Sequence, residues 1–454
     1  MRCAFLVLFL LLNSSSSAQL IYTFAGTGVS MFGGDGGPAT AAQISNPVGG
    51  VFDKYGNYYF AALTNEKRVR RIDTNGIITT VAGGGTEGDG VPATAARLNA
   101  PEAVTLDSIG NLFISDGGNN NIRKVDIITG MISTIAGTGI AGYGGDGGPA
   151  SAAVLNDQQD ICFDRKGNLY ICDPNNYRVR KINTLGIVTT FAGNGTLGSS
   201  GDGMPATDAR LDLPEGIVAD DTGNIYIADW GGLANCIRKV DTFGIITTLA
   251  GNGNAAYIGD GIPAIDAQFA ATRIALDSFN NLYIADFYGQ RIYKVDTSGM
   301  FYNIAGDGIA GFDGDGGPAT AAELYTPTGV ALDACGNLYI PETGTLSIDS
   351  GNNIRRVVYN STCDPYHGTL KANSITSKSE ISLYPNPAYS QLTITSATNI
   401  HEVTITNLIG QQVSSQVYDM ERAEVNVAGL PPGVYVVRVT DGEGKVVVRK
   451  VVKE

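Results

Sequence analysis

The sequence predicts an all-β protein: a six-bladed β-propeller closed by its N-terminal strand, followed by a small C-terminal β-sandwich. Three observations support this prediction. A Gly-Asp-Gly-x-Pro-Ala segment occurs six times, at intervals of 54 to 58 residues. Each copy is followed by short apolar stretches in a fixed order, and one such stretch stands alone at the N-terminal end of the repeats. A regular period of this length is typical of repeat architectures.

Each repeat unit is predicted to form a four-stranded antiparallel sheet. In the second unit the apolar stretches are residues 103–107, 111–115, 122–126 and 131–136. They are short, rich in β-branched residues, and bounded by Gly, Asn or Asp, which favours strands over helices. Between the first two stretches lies Asp-x-x-Gly-Asn, with Asn280 replacing the glycine in the fifth unit. Gly and Asn tolerate the positive φ that a tight hairpin turn requires.

The two ends of the repeat region indicate how the ring closes. The sixth unit has three stretches, the last at residues 353–359, and lacks a fourth. The stretch at residues 21–25 matches the missing fourth strand. We therefore expect six complete blades, the last completed by the N-terminal strand, because closure removes exposed strand edges.

The first 18 residues are predicted to be a secretory signal peptide. Arg2 precedes an apolar run at residues 4–12, and Ser16-Ser17-Ala18 offers a small-x-small cleavage site. The run is too short to span a bilayer. We expect an exported mature chain that begins at residue 19 and has no membrane span.

The charge balance excludes one class of partner. The chain has 44 acidic and 30 basic side chains, a formal net charge of −14. Nucleic-acid binding needs clustered cations, and an acidic surface repels the phosphate backbone. We therefore expect no nucleic-acid partner.

The repeat units resemble those of the NHL-repeat family of six-bladed β-propellers. The runs P-x-G-(V/I)-A-x-D, G-N-L-Y-I-A-D, N-x-I-R-K-(V/I)-D and G-I-I-T-T-(V/L/F)-A-G carry the resemblance, most clearly at residues 213–251. It covers about residues 20–360. The resemblance implies a propeller that serves as a scaffold, in a family that includes ligand binders, interaction modules and a few enzymes.

The chain divides into four predicted segments. After the signal peptide at 1–18 come the propeller at 19–360, a polar linker at 361–378 and a β-sandwich at 379–454. In the last segment, predicted strands are separated by Pro- and Gly-containing turns. They lie at residues 391–396, 402–406, 424–427, 434–439 and 445–452.

The last segment resembles the C-terminal sorting domain of type IX secretion cargo from Bacteroidota. The resemblance rests on Tyr384-Pro385-Asn386-Pro387, on the run from Gly433 through Tyr435 to residue 437, and on the basic–apolar C-terminus. It implies that the secretion machinery is a partner. It also implies a secreted or outer-membrane-surface location.

Histidine limits the chemistry available to the propeller. His367 and His401, the two histidines of the chain, both lie outside the repeats. A propeller site built on imidazole, whether zinc or a Ser-His-Asp triad, is therefore excluded. The alternative to a binding scaffold is a calcium-dependent hydrolase or lactonase that uses channel carboxylates. Its candidate ligands are Asp116, Asp173, Asp229, Asp286 and Glu342.

Two sets of charged residues recur once per unit. We expect the Gly-Asp-Gly aspartates to be turn-stabilising residues. Asp313 and Asp315, however, resemble the start of a calcium loop, so calcium remains the one candidate cofactor. The third strands carry arginines, replaced by Tyr293 in the fifth unit. We expect them to be solvated or to pair with nearby aspartates. They are Arg70, Arg123, Arg180, Arg238 and Arg355.

Departures from the repeat predict a ligand surface. The loops between second and third strands lose the repeat pattern and carry aromatic side chains, including Trp230, the only tryptophan. We expect these loops to bind a protein, peptide or glycan, because function concentrates in variable loops on rigid frames. An alternative is that the aromatics only cover the blade ends. The predicted ligand-binding residues are Trp230, Phe287, Tyr288, Tyr177, Asp229 and Asp286.

Five cysteines remain after the signal peptide. Cys335 and Cys363 fall at the same end of the sixth blade, and we predict a disulfide between them. Cys162 and Cys172 flank one hairpin; they could pair or be two small buried residues.

Overall fold

The protein is represented by a computed structural model. The structure describes residues 19–257, 260–344, 351–359, 382–384, 390–407, 411–442 and 446–453. The predicted signal peptide and linker lie outside these ranges. The chain divides into two compact units, Met1–Ala372 and Asn373–Glu454. In the described ranges there is no helix with the length and apolar character needed to traverse a membrane.

The described part of the first unit is built from antiparallel sheets of four strands, as the repeat predicts. Strand bounds differ from the predicted ones by one or two residues. Sheet 1 contains Pro47–Phe52, Tyr58–Ala62, Arg68–Ile72 and Ile78–Gly83. Sheet 2 contains Pro101–Leu106, Leu112–Asp116, Asn121–Val125 and Ile132–Ala136. Sheet 3 contains Ile161–Phe163, Leu169–Asp173, Arg178–Ile182 and Val188–Ala192.

Three further sheets follow in the described residues. Sheet 4 contains Leu213–Ala219, Ile225–Trp230, Cys236–Val240 and Ile246–Ala250. Sheet 5 contains Ala271–Leu276, Leu282–Asp286, Arg291–Val295 and Met300–Ala305, with the short strand Ile262–Pro263 added at its edge. Sheet 6 contains Ala331–Leu332, Leu338–Glu342, Asn353–Val358 and, from the other end of the repeats, Leu20–Ala25.

The strand Leu20–Ala25 pairs antiparallel with Asn353–Val358, with Ile21 opposite Val357. Ile21 is fully buried in the apolar cluster between sheets 5 and 6, and Phe24 packs edge-to-face on Tyr339 at 4.8 Å. Sheet 6 also contacts sheet 1, where the Thr328 hydroxyl donates to the Pro47 carbonyl at 2.7 Å.

The hairpin turns have the predicted chemistry. In sheet 1, Asp53 accepts hydrogen bonds from the backbone N–H groups of Tyr55 and Asn57, both at 2.9 Å. Gly56 has a φ of +88°, and Asn280, its replacement in the fifth unit, has a φ of +63°. After each Gly-Asp-Gly segment, Pro-Ala begins one short 3-10 turn. These turns are Ala39–Ala41, Ala93–Ala95, Ala150–Ala152, Ala206–Asp208, Ala264–Asp266 and Ala319–Ala321; two others, Gly117–Asn119 and Pro174–Asn176, lie between strands.

The second unit is also β-structured, but its strands are longer than predicted. The described strands form one hydrogen-bonded sheet. They are Ser382–Tyr384, Gln391–Asn407, Gln412–Asn426, Gly433–Asp441 and Val446–Lys453. The prediction of separate strands at 391–396 and 402–406 is wrong. Register shifts between residues 395 and 402 interrupt the pairing at the polar stretch that suggested a break, but one strand continues through it.

Candidate functional site

Each Gly-Asp-Gly aspartate fastens the connection in which it lies to the sheet that this connection enters. Asp35, in the connection that enters sheet 1, pairs with Arg70 at 2.7 Å and accepts the Thr80 N–H at 3.0 Å, so it ties the third and fourth strands together. The same bonds to an arginine and a strand N–H recur at Asp89, Asp146, Asp202 and Asp315. These contacts support an architectural role for the aspartates.

Of the two predicted calcium residues, Asp315 fits this pattern. The Oδ1 of Asp315 pairs with Arg355 at 2.7 Å, and its Oδ2 accepts the Thr23 N–H at 2.9 Å. The described residues contain no group of three or more His, Cys, Asp or Glu side chains that could hold a metal ion.

The repeat arginines are buried and pair with the Gly-Asp-Gly aspartates, so of the two expectations, solvated or aspartate-paired, the second holds. Arg70, Arg180, Arg238 and Arg355 have no exposed surface, and Arg123 is 4% exposed. Each guanidinium is covered by the connection that enters its sheet. It donates hydrogen bonds to backbone carbonyls of that connection as well as to the aspartate. In the fifth unit Tyr293 replaces the arginine, donates to Asp286 at 3.2 Å and stacks on Tyr257.

The carboxylates at the ends of the second strands are also buried. They pin the start of each first strand: the N–H groups of Asn99, Asn156 and Asp212 donate to Asp116, Asp173 and Asp229. In the first unit Ala62 occupies this position. The carboxylate of Glu66, four residues further on, accepts the Ser45 N–H instead, at 2.6 Å. Sequence reasoning missed Glu66 because it is displaced from the repeat position. Each of these carboxylates accepts its hydrogen bonds within its own sheet.

Burial strongly raises the pKa of these carboxyl groups. Desolvation raises the pKa of Glu66 to about 7, of Asp173 and Asp286 to about 6, and of Asp229 and Glu342 to about 8. Asp229 Oδ2 and Glu342 Oε2 have no hydrogen-bond partner in the described part of the chain. The folded state therefore retains these protons to a higher pH than the unfolded chain does.

We predict that the melting temperature falls as the pH rises from 5 to 8. The folded carboxyls bind protons more tightly than the unfolded ones, so their contribution is complete at low pH and is lost as the pH passes through 6 to 8. Below pH 4 the trend reverses, because the pKa of the hydrogen-bonded, ion-paired Asp89 and Asp146 is lowered. Calorimetry across this range checks the trend, and Asp229→Asn should flatten it. A melting temperature that rises from pH 5 to 8 would contradict it.

The predicted aromatic residues form a cluster on sheets 4 and 5. Trp230 ends the second strand of sheet 4, and its ring stacks on Tyr288 of the corresponding loop of sheet 5, with centroids 6.1 Å apart and planes at 21°. Phe287 packs edge-to-face on Tyr288 at 5.1 Å. Tyr288 is 61% exposed, while Trp230 and Phe287 are half-buried. We call Trp230, Phe287 and Tyr288 the aromatic cluster.

The aromatic cluster is held by Asp212, Asp229 and Asp286. Asp212 accepts the Leu233 N–H at 2.9 Å, and a Cβ on Gly231 would lie 2.4 Å from the Asp212 carboxylate carbon, so only glycine allows this turn. Asp286 accepts the Gly289 N–H at 2.8 Å. Asp229 and Asp286, predicted as ligand-binding, are 0% and 1% exposed. They position the loops and do not lie on the surface.

Tyr177 does not join the aromatic cluster. It caps the 3-10 turn Pro174–Asn176 in the left-handed conformation, with a φ of +54°, and is half-buried in sheet 3. Sequence position alone placed it in an equivalent loop, but it contributes no ring contact to the pair on sheets 4 and 5.

A charged cluster in the central cavity was not predicted. The first strands of the six sheets line a cavity of about 260 Å³ that includes Asp160 and Arg273. Arg273, from sheet 5, is 6% exposed and donates to the carbonyls of Glu215 on sheet 4, at 3.3 Å, and Glu102 on sheet 2, at 2.8 Å. Its guanidinium lies 4.0 Å from Asp160 and 3.9 Å from the Glu102 carboxylate. One arginine thus links strands of three sheets across the cavity.

A comparison of the six units at one repeat position indicates this cluster in the sequence. At the position of Arg273 the other units have Gly49, Ala103, Gly216 and Gly329, and only the third unit also has a charged residue, Asp160. Burial raises the pKa of Glu102 and of Glu215 to about 7. Glu215 lies two residues beyond Leu213, the strand partner of Trp230. The charged neighbour that Glu102 and Glu215 share is Arg273.

The disulfide prediction is tested in part. Cys335 is disulfide-bonded, while its predicted partner Cys363 lies outside the described residues. Cys162 and Cys172 are free and buried, so of the two alternatives left open, the unpaired one holds.

In the sorting segment, the described backbone places Tyr384 in the strand Ser382–Tyr384, opposite Thr393. Pro385, Asn386 and Pro387 lie outside the described residues. Gly433 begins a strand with a φ of +157°, and Tyr435 is 7% exposed and donates from its hydroxyl to the Pro431 carbonyl at 2.8 Å. Tyr384, Gly433 and Tyr435 are therefore all part of the sheet.

Comparison with known proteins confirms both resemblances. Residues 382–454 match the secretion system C-terminal sorting domain, and residues 194–257 match the teneurin NHL domain. The sorting domain directs the chain to the cell surface or extracellular space. Over 282 residues the chain is 27% identical to the Arabidopsis thaliana protein SUPPRESSOR OF QUENCHING 1, chloroplastic, covering 59% of this chain. It spans 26% of that relative's own length.

Solved structures show the fold of the repeat region. A Bacteroides thetaiotaomicron protein of unknown function is similar with a TM-score of 0.54 and 19% identity, covering 75% of this chain and 76% of that one. An auxiliary nutrient binding protein from Bacteroides ovatus is similar with a TM-score of 0.53 and 14% identity, covering 75% and 76%. The repeat region is an all-β, propeller-like array of four-stranded sheets.

Proposed function

We propose that this chain is a secreted binding scaffold that captures a glycan, peptide or protein on the loops around the aromatic cluster. The observation that carries the proposal is the stacked Trp230–Tyr288 pair, which spans two sheets and leaves Tyr288 61% exposed. Flat exposed aromatics supply large contact area with little loss of side-chain freedom.

The sorting domain and the similarity to a nutrient binding protein from Bacteroides ovatus support this function. The proposal includes export through an N-terminal signal peptide at 1–18, a linker at 361–378 and a sorting domain at 379–454. A disulfide from Cys335 to Cys363 would fasten the last blade after export into an oxidising compartment.

The proposal also includes a closed, six-bladed architecture. Three contacts support it: Leu20–Ala25 pairs with Asn353–Val358, Thr328 bonds to Pro47, and Arg273 links three first strands across one cavity. A closed ring fixes the loops of sheets 4 and 5 side by side and makes the aromatic cluster rigid.

We predict that Trp230→Ala weakens ligand binding by about 2 kcal/mol, since central aromatic contacts dominate interfaces. Trp230 is the only tryptophan, so its fluorescence reports on this surface alone. The wild-type chain is titrated with cellohexaose, chitohexaose, xylohexaose and a tryptic digest of casein. The emission should shift for at least one of these probes, and calorimetry should show weaker binding of that probe to Trp230→Ala.

The matched control is Phe243→Ala, which removes an 89% exposed aromatic from a hairpin turn of the same sheet. It should leave affinity unchanged. Equal binding by Trp230→Ala and the wild type, or a collapsed melting temperature for Trp230→Ala, would contradict a ligand-contacting role.

A further inference from the structure

The connection between sheets 1 and 2 is shorter than its counterparts. From the alanine that ends the fourth strand to the Gly-Asp-Gly aspartate, the step is seven residues here, Ala82 to Asp89, and ten in the other five units. The residues missing here form backbone bridges elsewhere, such as Ala141 with Leu155 and Leu197 with Leu211. The equivalent Leu98 forms no such bridge; Glu87 bridges Ala96 instead.

The deletion leaves a cavity of about 380 Å³ between sheets 1 and 2. Its walls are residues 65–68 from the loop between the second and third strands of sheet 1, residues 84–86 from the shortened connection, and Arg97 with Leu98. This volume lies within the range of about 300–1,000 Å³ typical of small-molecule sites and exceeds the needs of a bare ion.

Three cations surround this cavity without a counter-ion. Lys67, Arg68 and Arg97 form no ion pair with any described residue, in a chain whose net charge is −14. The Lys67 ammonium donates to the Asn99 side-chain oxygen at 2.9 Å, and Arg97 makes no side-chain hydrogen bond within the described ranges. The carboxylate in the wall, Glu66, is fully buried and already paired with Arg70 at 3.2 Å.

Arg68 differs from its repeat equivalents. Arg178 and Arg291 each donate to two backbone carbonyls, the second being Asn194 and Asp307 respectively. Arg68 donates only to the Glu66 carbonyl, at 2.9 Å, and stacks on Phe32. Its Nη2 group therefore has no protein acceptor among the described residues.

A glycine makes room for this guanidinium. Gly84 has a φ of +88°, and a Cβ there would lie 2.4 Å from Arg68 Nε. Any other residue would displace the arginine from the cavity wall. The same glycine–arginine contact recurs at Gly195 with Arg178 and at Gly308 with Arg291. What distinguishes this cavity from the repeat is therefore the shortened connection and the Arg68 Nη2 group, which has no protein acceptor among the described residues.

We propose that this cavity binds the acidic group of a sugar acid, with Lys67, Arg68 and Arg97 holding its carboxylate. Guanidinium groups match a carboxylate in planar, two-bond geometry. The side-chain amide of Asn65, which lines the cavity, can bond sugar hydroxyls. The site lies on sheets 1 and 2 and is independent of the aromatic cluster on sheets 4 and 5.

NMR titration of the full chain with sodium glucuronate, glucose, sulfate and tetraglutamate tests the proposal. Glucuronate should bind, and Lys67→Gln or Arg97→Gln should each weaken its binding about tenfold, as expected for loss of a charge-assisted hydrogen bond. The matched control is Arg210→Gln: Arg210 occupies the repeat position of Arg97, beside a connection of full length, and the variant should bind normally.

A second variant tests the cavity itself. Inserting Leu-Gly-Ser between Thr86 and Glu87 restores the ten-residue connection and should abolish glucuronate binding while the melting temperature is retained. Trp230→Ala should leave it unchanged, which separates this site from the proposed function. The proposal is overturned if glucose or sulfate binds as tightly as glucuronate, if tetraglutamate binds more tightly, or if Lys67→Gln and Arg97→Gln bind glucuronate like the wild type.

Discussion

Replacing Arg70 by methionine should lower the free energy of unfolding by about 3–5 kcal/mol, because it breaks a buried ion pair and leaves a charge without its partner. Arg70 is fully buried, pairs with Asp35 at 2.7 Å and Glu66 at 3.2 Å, and donates to the carbonyls of Gly33 and Gln43, each at 3.0 Å. Methionine fills similar volume but satisfies none of these acceptors. Denaturant unfolding of the two proteins at pH 8 measures the difference.

Two further variants identify the cause of the destabilisation by Arg70→Met. Glu66→Gln added to Arg70→Met removes the stranded carboxylate and should recover part of the loss. The control is Arg165→Met, which breaks an ion pair with Asp221 whose side chains are 70% and 62% exposed. Exposed pairs contribute about 1 kcal/mol or less, so this variant should be nearly neutral. Equal destabilisation by Arg165→Met and Arg70→Met would contradict the buried-network account.

Replacing Ile21 by aspartate should prevent stable folding of the repeat region. Ile21 has no exposed surface and packs among apolar side chains from sheets 5 and 6. An unpaired carboxylate there costs several kcal/mol in addition to about 2 kcal/mol of lost apolar burial, against a total stability of about 5–15 kcal/mol for a domain. Circular dichroism, thermal melting and soluble yield measure the outcome.

The neighbouring residue supplies the control. Leu20 is 36% exposed on the same strand, so Leu20→Asp should fold with nearly the wild-type melting temperature. If Ile21→Asp melts like Leu20→Asp, the strand does not form part of the core of sheet 6.

The repeat made most of the fold predictable. Strand order and hairpin turns follow from alternating apolar stretches and from residues such as Gly56, whose positive φ is available to few other residue types. The unmatched stretch at 21–25 pointed to sheet 6 because only that unit lacked a fourth strand. The C-terminal segment lacked such repetition, so the paired polar residues around 395–402 were mistaken for a break.

The candidate sites were less predictable, because burial depends on contacts between distant residues. Arg70 has the same sequence character as a solvated strand arginine, and only the connection that folds over it makes it buried. Asp229 and Asp286 sit beside the aromatic residues in sequence, but hydrogen bonds to Asp212 and Gly289 turn them inward. Arg273 is a charged residue at a position where most other units have Gly or Ala. Reasoning from the features that the units share does not detect such a difference between units.

Amide hydrogen exchange of Leu20–Ala25 tests most directly whether the N-terminal strand completes a closed ring. If it does, these amides should exchange as slowly as those of Val188–Ala192, the fourth strand of sheet 3. Exchange of Leu20–Ala25 at the rate of an unstructured peptide, while Val188–Ala192 remains protected, would contradict closure.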